Sequence, residues 1–316
     1  MLTTLKKVLR DADKGGYAVG AFNVNNLEIL RAVIDTAVEL ESPVIIQTSE
    51  GAIHYAGLEY LAAMIGVAAK SPVPVVMHVD HGKDLKLIKS ALDAGYSSVM
   101  YDGSTLPYKD NVRNTKKVVA WARKCGASVE AEIGAISGVE DLVSVSEKEA
   151  FFTDPDEAKR FADETGVDAL AISIGTAHGP NKSKVEPKLD IKRLKKIDAL
   201  VRAPIVLHGA SGIDADMVEL TRDRCDSLHD CGRLSKAVGI PDAQIRAAIK
   251  AGVRKINIDS DLRIAFTAGL REVVLNDHKN IDPRKLLQPP TELMKKVVAR
   301  KMALFGCKGK AKRRKK

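Results

Sequence analysis

The chain has 316 residues, with 50 Lys and Arg against 41 Asp and Glu, and a formal net charge of +9. The last nine residues, KGKAKRRKK, hold seven of the basic residues, and without them the counts are 43 and 41. A near-neutral body argues against a nucleic-acid-binding fold, which carries its positive charge on the folded surface. Aromatic residues are only 4% of the chain, which argues against stacking platforms for single-stranded nucleic acid.

The composition also disfavours membrane and secreted classes. No apolar run approaches the roughly 20 residues of a membrane-spanning helix. The opening segment, MLTTLKKVLRDADKGG, contains Asp11 and Asp13 and no apolar core, which argues against a secretory signal peptide. Four cysteines are too few for a disulfide scaffold. We therefore expect a soluble protein in a reducing, cytoplasmic setting.

Short β-rich runs alternate with helical patterns along the chain. Apolar residues have helical spacing over 26–41, 85–94 and 243–251. The eight β-rich runs are Ala18–Val24, Val44–Ser49, Val75–His81, Ser98–Ser104, Ser128–Gly134, Ala169–Gly175, Ile205–Ser211 and Val253–Ser260. Eight strands separated by helices predict an α/β fold, a single (β/α)8 TIM barrel, with a doubly wound open sheet as the alternative.

No linker rich in Pro, Gly or Ser divides the chain, so we expect one barrel domain over residues 1–307. The connection 212–252 is too long for one barrel helix and predicts extra helices at 214–224 and 241–251. A last helix is predicted over 286–303. Residues 308–316 are predicted to form a disordered basic tail.

Nearly every predicted strand ends in polar residues that a hydrophobic core disfavours. These residues are Asn23, Ser49, Asp80, His81, Asp102, Ser104, Glu130, Glu132, His208, Ser211, Asn257 and Asp259, with His178 shortly after the sixth strand. Barrel active sites are built at the carboxyl ends of the strands. The convergence of these residues therefore predicts a catalytic mouth at that end of the barrel.

Three of the seven histidines, His81, His178 and His208, follow the third, sixth and seventh strands. Three imidazoles with one open position are typical of catalytic zinc, although each histidine alone could be structural. Asp80 directly precedes His81, and adjacent strand residues face opposite sides, so both reach the mouth only if the strand ends there, as Gly82 permits. Asp80 is then either a general acid/base or a partner that orients a histidine.

Glycine- and serine-containing turns follow the last strands. Loops after the seventh and eighth strands are the usual phosphate site of barrels, and ordinary helix caps are the alternative. Lys182 and Arg263 lie nearby in sequence and could supply positive charge.

Charged residues are also predicted inside the barrel. Glu130 and Glu132 need a metal, a lysine or a substrate as partner there. Lys255 shares strand parity with Asn257, so it is expected to point inward and could form a Schiff base. That mechanism would leave the three histidines unexplained, and we rank it below a zinc site.

Five segments together resemble the class II, zinc-dependent fructose-bisphosphate aldolases. They are VMHVDHG (76–82), VEAEIGAISGVE (129–140), IGTAHG (174–179), LHGASG (207–212) and KINIDSD (255–261). The resemblance covers nearly the whole chain and implies reversible cleavage of fructose 1,6-bisphosphate to dihydroxyacetone phosphate and glyceraldehyde 3-phosphate. Tagatose-1,6-bisphosphate aldolases share these motifs and are the alternative, although the long 212–252 connection favours the fructose enzymes.

The resemblance also implies residue roles. His81, His178 and His208 would bind the catalytic Zn2+, and Asp102 with Glu132 would form an alternate metal position. Asp80 would be the acid/base at the C4 hydroxyl, and Glu140 would transfer the proton at the ketone-derived carbon. The implied substrate contacts are Asn23, Ser49 and Asn257 to hydroxyls, and Gly179, Lys182, Gly209, Ser211, Asp259 and Ser260 to phosphate.

Arg263 would contact phosphate across a subunit interface, which implies a homodimer or homotetramer. A monovalent cation, Na+ or K+, is implied near the phosphate loops. The basic tail has no role in the resemblance and could dock acidic surfaces, membrane phospholipids or nucleic acid. Cys225 and Cys231 lack a standard zinc spacing, and we expect a variable surface loop there.

Overall fold

The computed structural model describes residues 1–140, 143–145, 151–178, 188–211, 239–277 and 279–311, with the backbone alone for 137–140, 143–145, 177 and 178. The elements in chain order are α1 Leu5–Gly15, β1 Val19–Asn23, α2 Leu27–Glu39, β2 Val44–Ser49, α3 Glu50–Ala56, α4 Leu58–Ala68, β3 Val75–Gly82, α5 Leu85–Asp93, β4 Ser98–Tyr101, α6 Tyr108–Cys125, β5 Ser128–Ile133, β6 Ser137–Glu140, β7 Val143–Val145, α7 Pro155–Thr165, β8 Ala169–Ile172, β9 Ala177–His178, α8 Ile191–Leu200, β10 Ile205–Leu207, α9 Asp242–Lys250, β11 Val253–Ile258, α10 Ser260–Asn276, α11 Pro283–Leu286 and α12 Gln288–Phe305.

Eight strands close into a barrel in the order β1-β11-β10-β8-β5-β4-β3-β2, and the pairs are parallel. The predicted (β/α)8 barrel is therefore confirmed. A separate small sheet has the order β7-β6-β9. Each of the eight predicted β-rich runs coincides with a barrel strand to within a few residues. Short β-branched and apolar runs are typical of strands that are buried on both faces of a parallel sheet.

Most strands end earlier than predicted at their carboxyl ends. The run predicted as Ser98–Ser104 ends at Tyr101, and the run predicted as Ile205–Ser211 ends at Leu207. The polar residues beyond these points leave the ladder and bond to one another in the mouth. The sequence pattern continues smoothly across this change and does not mark it.

The helices cover the barrel with their apolar faces. In α2, the side chain of Asn26 accepts a hydrogen bond from the Ile29 N–H, and this cap starts the helix predicted over 26–41. The helices predicted at 241–251 and 286–303 correspond to α9 and α12. The helix predicted at 214–224 lies outside the described residues.

Helix α1 is absent from the elements predicted above. Its apolar face, formed by Leu5, Val8, Leu9 and Ala12, is buried, and the helix contacts β1, β3, β5 and β11. It therefore closes the amino-terminal end of the barrel, opposite the mouth. Within the part of the chain that the structure describes, no helix has the length and apolar character needed to cross a membrane.

The first residues of the predicted tail are attached to the barrel. The Gly309 N–H donates to the Leu40 carbonyl at 2.9 Å, and the Ala311 N–H donates to the Glu41 carbonyl at 2.7 Å. The Lys310 ammonium lies 5.7 Å from the Tyr17 ring centroid. Residues 312–316 lie outside the described part of the chain.

We predict that truncation after residue 307 destabilises the protein, whereas truncation after residue 311 does not. Only the longer deletion removes the two hydrogen bonds to the α2–β2 loop, a loss that should lower Tm by about 3 °C or more. Calorimetry of both truncated proteins beside the full chain measures the difference. Equal Tm values for the two truncations would contradict the attachment.

Candidate active site

A bulge in β3 brings two neighbouring residues into the mouth together. The pairing of β3 with β4 shifts register between Val79 and Gly82. His81 within this shift has a φ of 47°, a left-handed conformation that costs a non-glycine residue about 1 kcal/mol or more. Asp80 and His81 are consequently both buried on the inside. The strand ends at Gly82, as expected from the sequence, and the register shift lies directly before that end.

His81 and His208 face each other across the mouth. His81 Nε2 lies 2.8 Å from His208 Nδ1, and the two rings meet edge to face. Their outer nitrogens contact carboxylates: His81 Nδ1 lies 2.9 Å from Asp102 Oδ2, and His208 Nε2 lies 2.7 Å from Glu130 Oε1. Since a carboxylate accepts, each outer nitrogen donates its N–H, and the inner nitrogens converge on one point.

The pKa shifts of the two histidines place one proton between His81 Nε2 and His208 Nδ1. Burial lowers the pKa of His208 well below its usual range, and His81 and Lys255 lower it further. Burial acts in the same direction on His81, but the carboxylates of Asp80 and Asp102 prevail and raise its pKa well above the usual range. His81 is therefore the protonated ring and donates from Nε2 to His208 Nδ1.

The surrounding carboxylates fit a metal ion at the same place. Glu132 Oε2 lies 3.5 Å from His208 Nδ1 and has no hydrogen-bond partner among the described residues. Burial and the nearby Asp102 raise the pKa of Glu132 well above its usual range, and the charge of His81 only partly offsets them. Potential ligand atoms lie within 4.8 Å of one another in two groups: Asp80, His81 and His208, and His81, Asp102 and Glu132. This mixed nitrogen and oxygen set suits Zn2+.

Asp80 is held by three amides. Asn23 Nδ2 and Gln47 Nε2 donate to Oδ2 at 2.9 and 3.1 Å, and Asn257 Nδ2 donates to Oδ1 at 3.0 Å. Burial would raise the pKa of Asp80, but the positive charges of His81 and Lys255 and the Asn23 hydrogen bond lower it. Asp80 is therefore an oriented, ionised carboxylate that can accept a proton.

Lys255 points into the barrel, as strand parity predicts. Its Nζ lies 3.0 Å from Glu130 Oε2 and donates to Asn257 Oδ1 at 2.7 Å, and both charged residues are fully buried. Glu130 thus has a lysine as its inward partner. A lysine held by a carboxylate and an amide is a fixed positive charge, which disfavours the Schiff-base alternative.

The residues predicted to contact phosphate come together after β10 and β11. Gly209 has a φ of 59°, the Asp259 N–H donates to Ser211 Oγ at 3.5 Å, and Ser260 begins α10. Arg263 Nε donates to Asp259 Oδ1 at 2.9 Å. The two other predicted phosphate contacts, Gly179 and Lys182, lie outside the described residues.

Three further predicted site residues are Ser49, which caps a helix, and His178 and Glu140, for which the structure describes the backbone alone. Ser49 caps α3, since its Oγ accepts from the Ala52 N–H at 3.2 Å, and β2 pairs it with Asp80. His178 and Glu140 are described by their backbones. His178 pairs with Gly138 of β6, and Glu140 ends the same strand, so the two segments are neighbours in the small sheet.

Two buried residues of the mouth are absent from the sequence prediction. Gln47 donates from Nε2 to Asn23 Oδ1 at 2.6 Å, and His78 Nδ1 lies 2.8 Å from Ser98 Oγ. Burial and Lys255 lower the pKa of His78 well below its usual range, so its ring is neutral. Gln47 lies two residues before Ser49, and His78 lies two residues before Asp80. Residues two apart in a strand share a face, so this spacing could have identified both.

We predict that Lys255→Met weakens zinc binding about 10- to 100-fold, because Glu130 loses the ammonium that holds its carboxylate aligned on His208. Competition with a chromophoric chelator measures the affinity. Lys250→Met, at an exposed lysine of α9, is the matched control and should bind zinc like the parent. Parent-like affinity in Lys255→Met would remove Lys255 from the metal site.

Zinc binding must displace the proton that His81 holds. Since the pKa of His81 is raised, the protonated form prevails below that pKa, and zinc affinity should rise as pH increases towards it. Calorimetry in two buffers of different ionisation enthalpy should show release of about one proton or more per zinc at neutral pH. His54→Gln, at an exposed histidine, should leave the number of protons released per zinc unchanged. Zinc binding without proton release would contradict the assignment.

Comparison with known proteins identifies the family. The family model "Fructose-bisphosphate aldolase class-II" matches residues 3–310. The fructose-bisphosphate aldolase of Thermus caldophilus is 45% identical over 98% of this chain and 100% of that one, and the Giardia intestinalis protein of that name is 42% identical over 98% and 94%. The crystal structure of an aldolase from Escherichia coli K12 matches with a TM-score of 0.78 at 32% identity, covering 99% of this chain and 100% of that one. The chain belongs to the class II fructose-bisphosphate aldolase family.

Proposed function

We propose that this chain is a zinc-dependent fructose-1,6-bisphosphate aldolase, which cleaves its substrate reversibly to dihydroxyacetone phosphate and glyceraldehyde 3-phosphate. The observation that carries the proposal is the position of an ionised Asp80 beside the His81–His208 pair. The two relatives named fructose-bisphosphate aldolases above match over 98% of this chain, which favours fructose over tagatose bisphosphate.

His81 and His208, together with His178, are the proposed zinc ligands, and Asp102 with Glu132 the proposed alternate position. When bound, zinc supplies a Lewis acid that polarises the ketone carbonyl of the sugar and stabilises the negative charge that develops beside it. The Asp102 and Glu130 carboxylates orient the two imidazoles through their outer N–H groups.

Asp80 is the proposed base for cleavage. Its carboxylate takes the proton of the C4 hydroxyl as the C3–C4 bond breaks, and the bonding electrons move towards the ketone. The amides of Asn23, Gln47 and Asn257 hold the carboxylate in place without neutralising it. Glu140 is the proposed donor of the proton that C3 then receives, and this role derives from the family resemblance.

The proposed substrate contacts are those that the family resemblance implies. Asn23, Ser49 and Asn257 contact hydroxyls of the sugar. The phosphate contacts are Gly179, Lys182, Gly209, Ser211, Asp259 and Ser260, with Na+ or K+ near these loops. The start of α10 supports the phosphate proposal, since backbone N–H groups at a helix N-terminus attract anions.

We also propose a cytoplasmic homodimer or homotetramer in which Arg263 reaches the phosphate of a neighbouring subunit. Arg263 is 46% exposed. It lines an open cleft of about 440 Å³ with Tyr55 and Phe266, and the Tyr55 side chain is largely exposed. An exposed tyrosine beside an exposed arginine is typical of a protein–protein interface, which supports this proposal.

We predict that the zinc-loaded protein cleaves fructose 1,6-bisphosphate in a coupled assay, loses activity with a chelator and regains it with zinc. Tagatose 1,6-bisphosphate in the same assay should be cleaved much more slowly. Cleavage that resists the chelator would remove the zinc mechanism, and preference for tagatose bisphosphate would reassign the substrate.

Asp80→Ala should lower kcat by about 100-fold or more, since it removes the base while leaving both histidines in place. Its zinc content should match the parent's. Asp93→Ala, at an exposed aspartate of α5, is the matched control and should retain parental kcat. Near-parental turnover in Asp80→Ala would exclude Asp80 as the base.

A further inference from the structure

Two carboxylates lie at the start of α10, where the substrate phosphate is proposed to bind. Asp259 and Asp261 flank Ser260, and both are buried. Negative charges there oppose a phosphate dianion, and water screens them weakly at a buried position. A phosphate site in this place therefore requires that each carboxylate be compensated by a cation.

The structure supplies a cation for each carboxylate. Arg263 lies four residues after Asp259 on the same helix and pairs with it at 2.9 Å. Asp261 pairs with a residue of another helix, since Lys301 Nζ of α12 lies 2.9 Å from its Oδ1. Besides this ion pair, neither oxygen of Asp261 has a hydrogen-bond partner within the described ranges, so Lys301 is the contact that balances its charge there.

Lys301 is an unusual lysine. Its side chain is 3% exposed, on the face of α12 that also buries Val297, Val298 and Met302. Lysine is almost never fully buried without a partner, and an amphipathic helix that needs only packing would place an apolar residue here.

The packing holds Lys301 in a fixed place. An added Cβ at Gly269 of α10 would lie 2.6 Å from backbone atoms of Pro290, so the backbones of α10 and α12 are in direct contact. The end of α12 is tied to the barrel, because the Ala18 N–H donates to the Phe305 carbonyl at 3.0 Å. Two closely packed helices thus place the Lys301 ammonium beside Asp261.

We propose that Lys301 determines the affinity of the site for phosphate by cancelling the charge of Asp261. Lys301 has no contact with the reacting atoms, so it acts as a positioning residue, through its effect on the charge of Asp261. The inference rests on the proposed function, which assigns the start of α10 to a substrate phosphate. A purely structural ion pair would stabilise the fold without changing phosphate affinity.

Three variants test the proposal, with inorganic phosphate as a competitive inhibitor and fructose 1,6-bisphosphate as the substrate of the zinc-loaded full chain. Lys301→Met leaves Asp261 uncompensated and should raise the phosphate Ki and the KM about tenfold, with kcat and zinc affinity within about threefold. Asp261→Asn leaves Lys301 uncompensated and should bind phosphate about threefold more tightly. The double variant should return to within about threefold of the parent.

Lys296→Met, at an exposed lysine of α12, is the matched control and should bind phosphate like the parent. A phosphate Ki in Lys301→Met within about twofold of the parent would overturn the inference, as would a double variant as weak as the single one. If Lys301→Met does not fold, Asp261→Asn decides, because loss of a structural ion pair would not tighten phosphate binding. Failure of the proposed function would appear in the parent itself, as absence of cleavage.

Discussion

The ion pair between Glu130 and Lys255 is the interaction on which the site depends. Both side chains are fully buried, and either charge alone inside the barrel would be strongly unfavourable. Together they link β5 to β11 across the interior. From Glu130 a hydrogen bond orients His208, which faces His81, and from Lys255 another leads through Asn257 to Asp80. One pair of charges therefore places both the proposed metal ligands and the proposed base.

Buried carboxylates at the edge of the mouth are also paired with cations. Asp259 with Arg263 and Asp261 with Lys301 are ion pairs at the start of α10. Under the proposed function, the mouth gains negative charge each time the doubly phosphorylated sugar binds. Because Asp259 and Asp261 are already neutralised by their ion pairs, the N-terminus of α10 can attract the phosphate.

Sequence alone predicts the barrel, because eight buried runs separated by amphipathic helices leave few other arrangements. It also predicts the composition of the mouth, since polar residues at strand ends are conspicuous. The bulge at His81 escapes prediction, because register depends on the pairing of β3 with β4. Gln47 and His78 escape because their partners, Asn23 and Ser98, are distant in sequence. Lys301 escapes because a lysine in an amphipathic helix is ordinarily exposed.

His81 and His208 are proposed to share a metal ion at the point where a proton now joins them. Anomalous diffraction at the zinc absorption edge, from crystals of the zinc-loaded protein, tests it most directly. We expect a peak about 2.0–2.1 Å from both His81 Nε2 and His208 Nδ1. A zinc peak bonded to neither of these nitrogens would show that the two histidines do not bind the metal.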